Sequence, residues 1–221
     1  MIDTTAFDTL VEDVRGCYAC DSMAHCHTLG AANGPPRARV LFVGEAPGRY
    51  GAGRSGVPFH GDESGRRFES LLAIAGLTRD DVFVTNAVLC NPLDASGRNR
   101  RPRTSEVTNC GAFLLRQIEV MEPEIVVAVG VVALDALSRI ETHGVTLRQS
   151  CGLPVLWLGR RIVALYHPGR RALVHRDEAS QQEDWRRLGA LVQATDSMAA
   201  RRSKSRPMPF SGEAGVRQAT K

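Results

Sequence analysis

The sequence lacks any run of about 18 or more apolar residues, so we expect no segment that crosses a membrane. Its first residues lack a basic cluster followed by an apolar stretch, so we expect no secretory signal and a cytoplasmic protein. No G-x-G-x-x-G follows any predicted strand, which argues against a redox enzyme that binds a dinucleotide. The sequence thus favours a cytoplasmic protein that is not a dinucleotide-dependent enzyme.

Composition and charge are those of an ordinary globular protein with a mild basic excess. Apolar residues make up 43% of the 221 residues, which is enough to bury a core. The net charge of +4 fits a nucleic-acid partner, although many enzymes are slightly basic. Two loops are rich in arginine, and either could be a solvated face instead of a binding surface. The first contains Arg98, Arg100, Arg101 and Arg103, and the second contains Arg170, Arg171 and Arg176.

Apolar runs and helical periodicity alternate along the chain. Runs at 40–44, 82–84, 125–129 and 161–165 predict buried strands, and helices are predicted between them and at both ends. One helix is predicted to begin at the cap Ser64, another at Thr104 or Ser105, and the last to cover 179–194. This order predicts a single α/β domain over 1–195, with a central parallel four-stranded sheet flanked by helices. Residues 196–221 are expected to be a basic tail without fixed structure.

Polar groups follow three of the predicted strands. Gly44 and Glu45 end the first strand, Asn86 ends the second, and His167 follows the fourth. Because ligands of parallel α/β sheets bind beyond the carboxyl ends of the strands, we expect these groups to surround one site.

Six cysteines without a secretory signal argue against a disulfide framework. Cys17 and Cys20 form a C-x2-C pair, and Cys90 and Cys110 can complete a set of four thiolates. Zinc and iron–sulfur clusters both accept such a set, and the spacing matches neither standard ferredoxin pattern. Cys26 and Cys151 are expected to be ordinary buried thiols.

Together these residues resemble the iron–sulfur uracil-DNA glycosylases, families 4 and 5, over roughly residues 14–192. The resemblance is carried by G-E-A-P-G at 44–48 with G-V-P-F-H-G at 56–61, T-N-A-V-L-C-N-P at 85–92, P-x3-E-x3-C at 102–110, and H-P-G at 167–169. Glu45 and Asn86 look like family 4, whereas the loop length and the stretch 61–65 look like family 5. The resemblance implies a glycosylase fold, DNA containing uracil or related damaged bases as substrate, action as a monomer, and a structural [4Fe–4S] cluster on the four cysteines.

The resemblance also implies roles at the strand ends. Phe59 is expected to stack on the flipped base, and Asn86 to read its edge, unless Asn86 only closes an Asx turn. His167, or backbone N–H groups near Ala46, would donate to uracil O2. Asp62 is preferred over Glu45 as the residue that orients water, and either carboxylate could instead cap a loop.

The loop after His167 is expected to hold DNA. Arg170 and Arg171 would contact phosphates, and Leu173 or Val174 would enter the base stack, unless Leu173 packs inward. Two rival interpretations are a cluster-bearing DNA-binding module without catalysis and a redox enzyme. Neither interpretation explains why an amide, an imidazole and two carboxylates are expected at one site.

Overall fold

The computed structural model describes residues 4–204. Within this range no helix is both long and apolar enough to cross a membrane. The helices are α1 Thr4–Arg15, α2 Ala52–Ser55, α3 Glu63–Ile74, α4 Thr104–Met121, α5 Val131–Ile140, α6 Leu147–Ser150 and α7 Glu178–Lys204. The strands are β1 Met23–Ala24, β2 Val40–Gly44, β3 Val82–Asn86, β4 Asn91–Pro92, β5 Ile125–Val129, β6 Pro154–Trp157 and β7 Arg160–Leu165.

The main sheet has the order β3-β2-β5-β7-β6, and all four predicted strands lie in it, parallel to one another. The α/β class is therefore confirmed. In the register between β2 and β3, Gly44 lies opposite Asn86. The carboxyl ends of the parallel strands thus lie at one edge of the sheet, where the site was expected.

The sheet has one strand more than the four parallel strands predicted, because β6 pairs antiparallel with β7. The two strands are joined by Leu158 and Gly159, which both have positive φ, as a tight hairpin turn requires. β6 begins at a proline and exposes 78% of Leu156. It is an edge strand made only of apolar residues, so its sequence lacks the alternation of apolar and polar residues that marks a half-buried strand.

Helices cover both faces of the sheet. Leu41, Val43 and Phe83 belong to a core with residues of α1, α4 and α5. Phe42 and Val84 belong to a second core with residues of α3 and α7. Since successive residues of one strand serve opposite cores, both faces are apolar and the strands appear in the sequence as continuous apolar runs.

Two predicted helix ends differ from the structure. α3 is capped by Asp62 and not by Ser64, because the Asp62 side chain accepts a hydrogen bond from the Gly65 amide. α7 runs to Lys204 and not to about 194, so it continues past the boundary expected at 195. The rest of the expected tail, 205–221, lies outside the described residues.

Candidate active site

A cavity of about 310 Å³ opens at the carboxyl edge of the sheet. This volume lies at the lower end of the range for small-molecule sites, as suits a single nucleobase. The residues that line it include Glu45, Ala46, Phe59, Asp62, Asn86 and His167. The predicted convergence of an acid, an amide and an imidazole is thus what the structure shows.

Asn86 presents an unused hydrogen-bond donor in this cavity. Its side chain is 4% exposed, and its Nδ2 has no partner among the described residues. A buried amide without a partner destabilises a fold by roughly 1–3 kcal/mol, so such groups are rare unless a ligand completes them. Among the described residues the Asn86 side chain forms no hydrogen bond of an Asx turn, and its buried Nδ2 is unpartnered in a residue that lines the cavity.

Gly44 makes room for the amide and for an aromatic ring. A Cβ atom at Gly44 would lie 2.5 Å from Asn86 Oδ1 and 3.0 Å from the Phe59 ring. The ring of Phe59 stacks on Phe68 with 4.6 Å between centroids and an interplanar angle of 7°. Phe68 is fully buried, whereas Phe59 is half-buried and lines the cavity. Phe59 therefore offers a supported aromatic face to a planar ligand.

His167 is held as a neutral donor. Its Nδ1 accepts a hydrogen bond from the Gly169 amide at 2.9 Å, so the neutral ring carries its proton on Nε2. Burial lowers the pKa of His167 from 6.5, and the charge of Asp62 opposes that shift. The imidazole is thus fixed in the tautomer that donates from Nε2 without a positive charge.

The two candidate carboxylates differ in how they are held. Glu45 receives no side-chain hydrogen bond from the described residues, and burial raises its pKa from 4.5 while Arg101 opposes the shift. Asp62 uses Oδ1 to cap α3 at 2.8 Å from the Gly65 nitrogen. Its Oδ2 points toward Gly51, where a Cβ atom would lie only 2.8 Å away. The capping alternative is therefore correct for one oxygen of Asp62, and the second oxygen remains available to the cavity.

The cavity wall also contains residues that sequence reasoning did not assign to the site, among them Asn91, Asn99 and Arg100. Asn99 Oδ1 accepts from the Arg49 amide at 2.9 Å, and Asn91 Nδ2 donates to the Pro47 carbonyl. Both asparagines thus hold the glycine-rich loop in place. In the sequence, Asn91 is visible only as part of the motif at 85–92, and Asn99 only as part of the loop that is rich in arginine.

The loop after His167 forms a 3-10 helix, Arg170–Val174, at the mouth of the cavity. Arg171 is exposed and lines the cavity, whereas Arg170 forms an ion pair with Glu63. Leu173 is half-buried, and Val174 is 85% exposed. Of the two apolar side chains considered for insertion into DNA, Val174 is therefore the more accessible.

Comparisons with known proteins agree with this geometry. The sequence profile of the Uracil DNA glycosylase superfamily matches residues 31–189. The chain belongs to the uracil-DNA glycosylase superfamily. It is 34% identical to the Type-4 uracil-DNA glycosylase of Thermotoga maritima over 158 residues, which cover 71% of this chain and 78% of the relative.

Two further relatives show the same mixture of types that the motifs indicate. Identity to the Type-4 uracil-DNA glycosylase of Archaeoglobus fulgidus is 31% over 193 residues, covering 84% of this chain and 93% of the relative. Identity to the Type-5 uracil-DNA glycosylase of Pyrobaculum aerophilum is 35% over 148 residues, covering 61% and 63%. The resemblance to this glycosylase superfamily is thus confirmed, with relatives of both types.

In this superfamily member the four predicted cysteine ligands come together from three segments. Cys17 and Cys20 lie in the loop after α1, Cys90 lies just before β4, and Cys110 lies on α4. Burial, together with the nearby thiols of Cys90, Cys20 and Cys17, raises the pKa of Cys110 to about 12. The four thiols are thus close enough to interact electrostatically, and their thiolate forms, which repel one another, would be stabilised by bound metal ions. Among the described residues no three of these four sulfur atoms lie within 4.8 Å of one another, as the ligands of a single ion would.

The two cysteines outside the predicted set of four, Cys26 and Cys151, have different surroundings. Cys151 is buried, and its thiol donates to Asp184 Oδ2 at 3.1 Å, as expected of an inert thiol. Cys26 is only half-buried, and burial together with the adjacent Cys90 raises its pKa to about 11. Cys26 is flanked by His25 and His27, which lie beside Cys90 and which the sequence analysis did not single out.

A buried ion pair connects this cysteine region to the cavity. Arg100 contacts Glu106 through two hydrogen bonds of 2.8 and 2.6 Å, and Glu106 is 3% exposed. Glu106 also accepts from Ser22, two residues after Cys20, and lies one turn before Cys110 on α4. These contacts hold the pKa of Glu106 at about 2, mainly through Arg100. Arg100, which was grouped with the exposed arginines, is therefore part of the internal structure.

Proposed function

We propose that this chain is a DNA repair enzyme that removes uracil, and related deaminated bases, by hydrolysing the N-glycosidic bond and leaving an abasic site. The proposal rests on one observation above the others. A buried Asn86 amide without a partner faces a base-sized cavity whose neighbouring wall is a supported aromatic ring.

The base would be recognised by stacking and by its Watson–Crick edge. Uracil stacks on Phe59, while the Asn86 amide donates N–H to O4 and accepts N3–H at its oxygen. Ligand binding then satisfies the Nδ2 atom that is unpartnered in the free protein. A DNA-binding module without catalysis would have no use for such a donor below the protein surface, which makes that rival the weaker one.

The leaving base would be stabilised as an anion. As the bond between C1′ and N1 breaks, its electron pair stays on N1 and negative charge spreads to O2. His167 Nε2–H, with backbone N–H groups near Ala46, donates to O2. The hydrogen bond from Gly169 keeps that proton on Nε2 throughout.

On the sugar side, positive charge develops at C1′ and a water molecule attacks it. Asp62 orients this water through Oδ2 and accepts its proton, because Oδ1 is fixed by the cap of α3. Glu45 supports the sugar cation with its negative charge.

DNA would be held by the loop after His167. Arg171, and Arg170 once its pair with Glu63 opens, contact phosphates beside the flipped nucleotide, and Val174 or Leu173 occupies the gap in the stack. Extruding a base requires a few kcal/mol, which these contacts supply.

A [4Fe–4S] cluster held by Cys17, Cys20, Cys90 and Cys110 completes the proposal. It would supply structural order by tying the first loop to α4 and takes part in no proposed step. We further propose that the enzyme works as a cytoplasmic monomer, since the cavity is formed by residues of one chain.

The direct test is incubation of the full-length protein with an oligonucleotide that contains one uracil, followed by alkali. A glycosylase leaves an abasic site that alkali cleaves at that position. A thymine-containing oligonucleotide is the control, and a panel with hypoxanthine and xanthine defines the range of bases. Binding of the uracil strand without cleavage would refute the proposal in favour of a binding module.

A further inference from the structure

Three side chains of types that bind metals lie together next to the four predicted cysteine ligands, and only one of the three is itself a predicted ligand. One ligand atom each from His25, His27 and Cys90 lie within 4.8 Å of one another. The distance between His25 Nδ1 and Cys90 Sγ is 3.9 Å. Only a small contraction separates this arrangement from the spacing of ligands around one ion.

His27 is oriented as metal-binding histidines are. Its Nε2 lies 2.8 Å from the Cys17 carbonyl oxygen and must donate to it, because a carbonyl only accepts. The neutral ring therefore has its lone pair on Nδ1. A hydrogen bond from one ring nitrogen to a backbone carbonyl is the usual way in which a protein fixes the other nitrogen for a metal.

The backbone at His27 is also unusual. Its φ of 44° lies in the left-handed region, which a residue other than glycine adopts at a cost of roughly 1–3 kcal/mol. Such conformations persist where a ligand or function requires them. The His27 ring lies beside that of His25, with 5.6 Å between the two centroids.

The cluster of rings is reachable from solvent. Tyr18 is 66% exposed, and its ring covers both imidazoles at centroid distances of 5.0 and 5.4 Å. Both histidines are half-buried. The two imidazoles thus lie near the protein surface, while Cys90 is buried beneath them.

We propose that His25, His27 and Cys90 form a binding site for a single divalent transition-metal ion, with zinc as the ion that suits two imidazoles and one thiolate. Three protein ligands leave a fourth position for water. Cys90 also belongs to the four thiolates proposed for the cluster, so the ion and the cluster exclude each other. That second statement rests on the proposed function, whereas the metal site itself does not.

The test uses full-length protein stripped of metal by a chelator without oxygen, and Co²⁺ as a coloured probe. Wild-type protein should bind one Co²⁺ per chain with the intense visible bands of a tetrahedral site and a charge-transfer band from thiolate. His25→Ala and His27→Ala should each weaken Co²⁺ binding by about tenfold or more, as loss of ligands and their supports does. His175→Ala, at an exposed histidine, is the matched control and should bind as wild type does.

Circular dichroism checks that each variant is folded, and His25→Gln with His27→Gln replace any alanine variant that is not. Equal Co²⁺ binding by wild-type protein and the histidine variants would overturn the site. Protein that keeps its full cluster absorbance while binding Zn²⁺ at this site would overturn the mutual exclusion. A chain that binds Co²⁺ as expected but fails to cleave uracil DNA would refute the proposed function alone.

Discussion

The cavity and the cysteine region are built in different ways. Each polar group of the cavity follows a central strand or the loop next to one, and the register of the parallel sheet fixes its position. The cysteine region has little regular structure beyond the two-residue pairing of β1 with β4 and the single helix α4. The cavity is therefore positioned by the sheet and the loops next to it, whereas the cysteine region has few regular elements that could position its thiols.

The two regions also differ in what their polar groups do for stability. In the cavity, Asn86 Nδ2 has no partner among the described residues, and burial disfavours the charge of Glu45. Both groups destabilise the protein without ligand, so we infer that they are present because they bind the ligand. In the cysteine region, Glu106 and Arg100 satisfy each other and join segments. Mutations in the cavity should thus lower activity without lowering stability. Mutations of the four cysteines should lower both.

The largest effect is expected at Asn86. Asn86→Ala should lower uracil excision by more than about a hundredfold, since roughly 3 kcal/mol of base recognition is lost. Its thermal stability should not fall, because the substitution removes a buried donor that lacks a partner.

Thr85→Val provides the matched control. Thr85 Oγ1 is likewise buried without a partner among the described residues, but Thr85 does not line the cavity. This variant should keep both activity and stability. Normal turnover by Asn86→Ala, measured with the uracil oligonucleotide, would exclude Asn86 from base recognition.

The second effect contrasts the cysteine region with the cavity. Protein purified without oxygen should be brown, with broad visible absorbance. Cys110→Ser should lose that colour and about 2 kcal/mol or more of unfolding free energy, because a ligand of the structural centre is removed.

Cys151→Ser makes the same exchange at a buried thiol outside the set, and serine can still donate to Asp184. It should keep the colour. Unfolding in denaturant gives the free energies. A colourless, zinc-loaded wild-type protein with full activity would disprove the iron assignment.

The sequence was sufficient for the cavity because its signals are local. Apolar runs mark the parallel strands, and a polar residue directly after such a run must lie at the sheet edge, as Asn86 does. The same reasoning failed for β6, where an exposed Leu156 and a starting proline hide the strand. An edge strand is defined by its partner β7, and its own pattern carries little information.

Contacts between distant segments were beyond sequence reasoning. Arg100 looks like one of four loop arginines, and only the structure shows it paired with Glu106 and Ser22. The hydrogen bond between His27 and the Cys17 carbonyl is likewise visible only in the structure. Asp62 was found as a carboxylate of the site, but its shared role as the cap of α3 depends on where the helix begins.

A third, smaller effect separates the two carboxylates of the cavity. Asp62→Asn keeps a side chain that can cap α3, while Glu45→Gln keeps the size of Glu45, so each removes mainly the charge. If Asp62 orients the water, Asp62→Asn should lose at least about tenfold more activity than Glu45→Gln, or about 1.4 kcal/mol. Equal, modest losses in the excision assay would contradict the assignment.

The stability of Glu45→Gln tests the same contrast through pH. Burial raises the pKa of Glu45 in the folded protein above 4.5. The contribution of Glu45 to the free energy of unfolding is therefore fully present below the unfolded pKa and is lost as pH rises through the folded pKa. Wherever Glu45 is ionised, its buried charge is unfavourable in the folded protein. Glu45→Gln should therefore be at least as stable as wild type near pH 7, and thermal unfolding at that pH would show it.

The smallest effect is expected at Arg171, which lies at the cavity but outside the chemistry. Its exposed guanidinium is placed to neutralise one phosphate, so Arg171→Gln should raise KM a few-fold, leave kcat unchanged and reduce the salt slope of log affinity by about 1. Arg148→Gln, at an exposed arginine that does not line the cavity, should change neither KM nor the slope. Titration of uracil DNA at several salt concentrations measures this slope. An unchanged slope for Arg171→Gln would mean that DNA approaches the cavity from another side, with the Asn86 prediction unaffected.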